Sequence, residues 1–228
     1  MRFVVAILFI NLFFISGCSV ETISDEIVDG STIEHEGKTY HVVQIGNQFW
    51  LKENLDVGTM INIEEEQTDN GIIEKYYLGN DPSWGNIYGG LYTWDEAMQY
   101  SRKRGAQGIC PDSWHIPTRE EYEDLLNTVN ENANALKEIG EGTGNGAGTN
   151  TSGFSALLAG FVGRLRKKMK YSDSGFGTII LSSTEFYEPI VSSYEPLAWH
   201  LFLTQIDSTA YIRAHPKSFG YSCRCLKD

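Results

Sequence analysis

The sequence has few basic residues, with 18 Lys and Arg against 30 Asp and Glu and a formal net charge of −12. A nucleic-acid-binding protein needs a basic face to neutralise phosphates. Basic residues cluster only at 164–170, between two predicted strands. We interpret that run as a solvated turn or hairpin, with an anion site as the alternative. The sequence therefore predicts no nucleic-acid partner.

Several motifs of enzymes and metalloproteins are also missing. No Gly-x-Ser-x-Gly elbow surrounds Ser183, and there is no His-Glu-x-x-His helix or Cys-x-x-Cys pair. No regular Asp-x-Asp-x-Asp-Gly loop is present, so Asp112, Glu185 and Asn54 are not expected to bind calcium. We predict buried strand hydroxyls at Ser183 and its neighbours. The sequence thus indicates no catalytic residue, no metal ligand and no cofactor.

A long hydrophobic run occurs at the N-terminus, where residues 3–15 follow Arg2 and end in the sequence ISGC. The run is short for a membrane span and resembles a bacterial lipoprotein signal. The resemblance implies a signal peptide over 1–17 and lipidation of Cys18, which would anchor the chain through buried acyl chains. An ordinary secretory signal or an uncleaved N-terminal helix is the alternative. Ser19 favours the outer membrane of the cell envelope, facing the periplasm or the surface.

Residues 18–36 are polar and contain no aromatic residue. This composition indicates a flexible tether. The remaining residues, 37–228, are enough for one domain with a sizeable core, and they show no internal repeat.

The local patterns predict a mixture of helices and strands. Thr118 and Glu121 form a capping box for a helix with an apolar stripe from Tyr122 to Val129, and Thr93 and Glu96 predict a similar helix over 93–103. A shorter helix is predicted at 133–139. Residues 56–90 and 140–153 are rich in glycine and predict long loops. Strands are predicted at 39–44, 47–51, 154–161, 178–182, 198–204, 210–214 and 221–226. Helices followed by antiparallel strands indicate the α+β class.

Three cysteines follow Cys18, and in an exported chain a pair of them is expected to be oxidised. Because Cys223 and Cys225 are two residues apart on a predicted strand, both face the same side, and the pattern alone leaves the partner of Cys110 open. A copper or zinc site at Cys223 and Cys225, completed by His200 or His215, is the functional alternative.

Six segments, in this order, are similar to the Fibrobacter succinogenes major paralogous domain family. They are YHVVQIGNQFWLKENL (40–55), YGGLYTWDEAM (88–98), CPDSWHIPTREEY (110–122), GFSALLAGF (153–161), SSTE (182–185) and YSCRCLKD (221–228). The resemblance implies a single C-type-lectin-like domain, with two to three helices packed on antiparallel strands and long glycine-rich loops. It implies Cys225 as the partner of Cys110, with Cys223 as the odd thiol. The function of the family is largely undefined, so the resemblance supplies no catalytic residues.

Trp114 and His115 precede the helix start at Pro117 and Thr118. Strand alternation would bury one of the pair, and we expect Trp114 to lie in the core because of its large apolar area. We expect His115 to hydrogen-bond to the backbone rather than to bind a ligand or transfer protons, and we expect the same of His200.

Four aromatic residues in the 56–90 loop are the candidate ligand-binding residues: Tyr76, Tyr77, Trp84 and Tyr88. Their Gly, Asn and Asp neighbours suit stacking on sugar rings or contact with a protein, and core packing is the alternative for each. We therefore expect a lipid-anchored, extracytoplasmic binding or adhesion module that recognises a glycan or a surface protein. The alternatives are a copper-dependent oxidase related to formylglycine-generating enzymes and a purely structural envelope protein.

Overall fold

The computed structural model describes residues 27–165, 168–172, 175–187 and 195–228. The expected signal peptide, Cys18 and the first half of the expected tether lie outside the described residues. Within the described ranges, no helix is both long enough and apolar enough to cross a bilayer.

Short strands make up most of the regular structure in the described chain. The strands are β1 (Thr32–His35), β2 (Lys38–Ile45), β3 (Gln48–Leu51), β4 (Thr59–Met60), β5 (Glu74–Lys75), β6 (Leu91–Tyr92), β7 (Trp114–His115), β8 (Phe161–Leu165), β9 (Lys168–Ser172), β10 (Gly177–Phe186), β11 (Leu197–Thr204), β12 (Tyr211–Pro216), β13 (Tyr221–Ser222) and β14 (Leu226–Lys227). The helices are α1 (Gly85–Tyr88), α2 (Trp94–Ala97), α3 (Arg119–Thr128) and α4 (Ala133–Leu136). The protein is therefore α+β, as predicted.

Two five-stranded sheets organise the domain. The first has the order β1-β2-β3-β14-β7 and is antiparallel throughout, so the C-terminal strand lies beside the N-terminal hairpin. The second has the order β12-β11-β10-β13-β6, and only its β10–β13 pair is parallel among the described pairings. The β8–β9 hairpin carries the basic run, in agreement with the prediction of a turn or hairpin there, although residues 166–167 are outside the described ranges.

Helix α3 confirms the predicted capping box. Glu121 N–H donates to Thr118 Oγ1 at 3.3 Å, and Thr118 N–H donates to the Glu121 carboxylate at 2.7 Å. The buried side chains of Tyr122, Leu125 and Leu126 pack in a core cluster that includes residues of β10 and β11. The Tyr122 hydroxyl donates to the Leu181 carbonyl at 2.9 Å, which fixes the helix to the second sheet.

The prediction of a helix over 93–103 is correct for the first turn and wrong after it. Helix α2 has the predicted Thr93 cap but ends at Ala97, and Gln99 and Tyr100 have φ values of 48° and 58°. The Ala97 carbonyl accepts a tertiary hydrogen bond instead of a helical one, because Ile109 N–H donates to it at 2.9 Å. The Gln99 amide donates to the Glu96 carbonyl at 2.8 Å.

Four other predictions also need correction. Residues 154–160 do not form a strand, since the carbonyls of Phe154 and Ser155 accept hydrogen bonds from the buried Arg224 guanidinium instead of from a neighbouring strand. The last predicted strand is interrupted between β13 and β14, and helix α4 ends at Leu136 rather than at residue 139. The expected tether overlaps β1, which pairs with β2, so the folded part begins before residue 37.

Candidate functional site

The 56–90 loop presents an aromatic surface that is built by a local turn. The Asp81 carboxylate accepts a hydrogen bond from Ser83 N–H at 2.9 Å and caps a 3₁₀ turn, Pro82–Trp84, whose first residue is proline. Helix α1 follows directly. This arrangement places Trp84 and Tyr88 four residues apart, which brings their side chains to one face.

The aromatic loop surface consists of Tyr77, Trp84, Ile87 and Tyr88. The rings of Trp84 and Tyr88 are 5.5 Å apart between centroids and tilted by 37°. Trp84 is 38 % exposed and Ile87 is 54 % exposed, while Tyr77 and Tyr88 are half-buried. Three of the four predicted aromatic residues therefore reach the surface of one loop.

Tyr76 does not belong to this surface. It is 1 % exposed and packs with Leu91 and Val162, and its hydroxyl donates to the Glu65 carbonyl at 2.8 Å. Tyr76 forms an isolated bridge with Leu91, and strand alternation turns its side chain to the face opposite that of Tyr77. The expectation that Tyr76 binds a ligand is therefore wrong, and the alternative of core packing applies.

The base of the surface is closely packed. A Cβ atom on Gly85 would lie 2.5 Å from the Tyr77 ring, so any larger residue would require that ring to move. Gly89 has a φ of 75° and ends the helix. The buried Asn54 amide donates to the Tyr88 carbonyl at 2.9 Å. These contacts hold the aromatic rings on a fixed backbone.

A charged cluster adjoins the surface. The Asp56 carboxylate accepts from Lys75 Nζ at 2.6 Å and also forms an ion pair with Lys38, whose Nζ lies 3.4 Å from Asn86 Oδ1 in α1. Lys75 Nζ lies 4.9 Å from the centroid of the Tyr77 ring. Burial alone would raise the pKa of Asp56, but the hydrogen bonds from Lys38 and Lys75 outweigh it and lower that pKa. Burial lowers the pKa of Lys75.

The sequence did not indicate this cluster. Lys38 is 18 residues from Asp56 and 48 residues from Asn86, and the three belong to no motif. Only the packing of the hairpin against the loop brings them together. Lys38 and Asn86 are accessible and supply polar groups beside the aromatic rings, whereas Asp56 is buried and holds Lys38 in place. A polar group beside an apolar surface is the combination that a sugar or another polar ligand requires.

The cysteines form a structural bridge. Cys110 and Cys225 are joined by a disulfide across 115 residues of chain, as the family resemblance implied. Cys223 is fully buried and free, and the three sulfur atoms lie within 4.8 Å of one another. Burial raises the pKa of the Cys223 thiol. A site that requires Cys223 and Cys225 together as thiolates is therefore blocked while the bridge is intact.

His115 does not bond to the backbone through its ring, contrary to the expectation. It lies between two carboxylates, with Nδ1 2.6 Å from Asp228 Oδ1 and Nε2 3.0 Å from Glu121 Oε1. Both Trp114 and His115 are largely buried, at 2 % and 9 % exposure, so alternation does not expose His115. His115 thus links the cap of α3 to the C-terminal strand.

The remaining sequence candidates have structural contacts. Ser183 is buried, its hydroxyl donates to the Pro117 carbonyl at 3.2 Å and it accepts from Gly105 N–H at 2.9 Å, as expected of a strand hydroxyl. The oxygens considered for calcium are also bonded: Asn54 to Arg224, Asp112 to Gln107 and Glu185 to Lys217.

These features define a disulfide-bridged α+β domain whose two sheets support a long aromatic loop. The chain belongs to the Fibrobacter succinogenes major domain family, whose family model matches residues 43–227. The match confirms the family resemblance in the six sequence segments. Comparisons with curated proteins and with solved structures gave no match.

Proposed function

We propose that this protein is a lipid-anchored extracytoplasmic binding module that recognises a glycan through its aromatic loop surface. One observation carries the proposal: Trp84 and Tyr88 present adjacent, partly exposed rings on a closely packed base. Aromatic rings in a binding site offer large contact areas with little loss of side-chain entropy. The amide of Asn86 and the ammonium of Lys38 lie beside the same helix and can bond to hydroxyl groups.

The proposal includes a C-type-lectin-like arrangement of the domain. Its support is the pairing of C-terminal β14 with β3, the disulfide that joins the segment before β7 to the segment before β14, and the long loops. It also includes a signal peptide over 1–17, lipidation at Cys18, and a tether that now ends before β1. The anchor would hold the domain at the envelope, in the outer membrane, facing the periplasm or the surface.

The binding proposal is tested by screening the full chain, in detergent, on an array of envelope and plant polysaccharides. We expect specific binding that falls at least about tenfold in Trp84→Ala, which corresponds to about 1.4 kcal/mol, since the variant loses a large aromatic contact area. Phe176→Ala is the matched control because Phe176 is a 64 % exposed aromatic residue outside this surface. Binding that Trp84→Ala leaves unchanged would reject the site. Capture of a fixed envelope protein without glycan binding would support the structural alternative.

A further inference from the structure

Two histidines and a tyrosine from three strands meet beneath the second sheet. His215 is the register partner of Ala198, so it shares a face with His200, which is two residues further along β11. The ring centroids are 5.7 Å apart for His200 and His215, and 4.7 Å apart for His200 and Tyr221. His215 and Tyr221 are 6.2 Å apart. None of these side chains belongs to the aromatic loop surface.

Each of the three carries a buried polar atom without a hydrogen-bond partner among the described residues. These atoms are His200 Nε2, His215 Nε2 and the Tyr221 hydroxyl. His200 and Tyr221 are fully buried. A buried polar atom left unpaired costs about 1–3 kcal/mol, so three of them in one aromatic cluster call for a ligand that satisfies them together.

The other ring nitrogen of His200 fixes its tautomer. Nδ1 lies 2.7 Å from the Ala198 carbonyl oxygen, which can only accept, so Nδ1 carries the proton and Nε2 keeps its lone pair. The same second contact, to a backbone carbonyl, orients many metal-binding histidines. Burial lowers the pKa of His200 to about 3, and burial followed by the charge of Arg213 lowers the pKa of His215. The neutral imidazole is the form that binds metals, and the contact of Nδ1 with the Ala198 carbonyl leaves the lone pair of His200 Nε2 available.

We propose that His200 and His215 bind one transition-metal ion of the imidazole-preferring class, such as zinc, copper or nickel, with the neutral Tyr221 hydroxyl as a further donor. The ion would reach the site from β12, which is an edge strand and on which His215 is only partly buried. The positive charge of Arg213 acts on His215 and opposes a cation here, whereas the negative charge of Glu195 acts on Tyr221. Copper is the first metal to test, because Cu²⁺ has the highest affinity for nitrogen ligands among the divalent first-row metals.

The test uses the full chain, without a histidine tag and with its disulfide intact. Calorimetric titration with Cu²⁺ and with Zn²⁺ measures the stoichiometry and affinity of binding. Electron paramagnetic resonance of the copper-bound protein counts the coordinating nitrogen atoms. We expect the parent protein to bind one equivalent of metal ion, and the copper spectrum to show hyperfine structure from two imidazole nitrogens. We expect His215→Gln to bind the ion at least about tenfold more weakly, which corresponds to about 1.4 kcal/mol. Tyr221→Phe should cause a smaller loss.

His215→Gln is preferred to a change at His200 because the latter is fully buried and its variants risk misfolding. His41→Gln is the matched control, since His41 is an exposed histidine paired with Glu53, and it should bind metal as the parent does. Cys223→Ala should also bind normally. The proposal is overturned if no ion binds to the parent protein or if His215→Gln binds it as tightly as the parent does. It is also overturned if His41→Gln or Cys223→Ala no longer binds one equivalent of the ion.

Discussion

Single side chains connect parts of the chain that are far apart in sequence. His115 is the clearest case, because it touches Glu121 six residues away and Asp228 113 residues away. Burial alone would lower the pKa of His115, but the hydrogen bonds and charges of Glu121 and Asp228 outweigh it and raise that pKa. The protonated ring is therefore favoured by folding.

We predict that the folded domain loses stability as the pH rises through the raised pKa of His115. A group whose pKa is higher in the folded state stabilises fully below its unfolded pKa, near 6.5, and this contribution disappears above its folded pKa. Urea unfolding measured between pH 6 and pH 9 should show this decline, and His115→Gln should flatten it. His41→Gln is the control, since His41 is exposed. An unchanged alkaline decline in His115→Gln would contradict the prediction.

The sequence predicts some residue roles and not others. The burial of Trp114 follows from its size, and the cap at Thr118 follows from a local spacing. The carboxylate partners of His115 do not follow, because one of them is at the far end of the chain. Tyr76 and Tyr77 are adjacent and equally aromatic, and only the strand pairing determines which of them is buried.

At the scale of elements, caps located helix starts well, but local periodicity did not locate helix ends. Both α2 and α3 begin directly after the threonine that was predicted to cap them. Helix α2 stops after one turn because Gly108 brings its backbone against the Ala97 carbonyl, where a Cβ atom would lie at 2.2 Å. That approach depends on a residue eleven positions away and leaves no helical pattern.

We predict that Thr118→Ala lowers the free energy of unfolding by about 1 kcal/mol, the typical effect of removing a threonine N-cap. The side chain supplies the acceptor for Glu121 N–H, and alanine cannot. Thr118→Ser retains the hydroxyl and should retain most of the stability. Chemical denaturation of the three proteins measures this difference. Equal losses in both variants would show that the methyl group, rather than the cap, is responsible.

At the scale of the whole molecule, the disulfide and the β3–β14 pairing close the chain into one unit. The sequence alone narrowed the partner of Cys110 to two cysteines, and the family resemblance identified Cys225. The arrangement of strands in two sheets could not be read from the sequence, since each sheet also contains pairs whose strands are far apart in the chain. For example, β3 and β14 pair Trp50 with Leu226.

We predict that the Cys110→Ala/Cys225→Ala double variant is less stable than the parent by about 4–5 kcal/mol. This is the stabilisation that lost entropy of the unfolded chain gives for a disulfide that closes a loop of this length. Cys223→Ala should be affected much less, because it removes one buried sulfur atom and leaves the bridge intact. Urea unfolding without reductant measures both. Thiol titration should find one free thiol after Cys18, reactive only on unfolding. Comparable destabilisation of the two variants would contradict a stabilising role for the bridge.

We predict that Trp84, among the five tryptophans of the chain, contacts the ligand. Nitrogen–proton correlation spectra of the indole groups, recorded while a glycan that binds on the array is added, test it most directly. We expect a saturable shift of the Trp84 signal, with the buried Trp50, Trp94 and Trp114 signals unchanged. A bound glycan that leaves the Trp84 signal in place, or that shifts another indole instead, would contradict it.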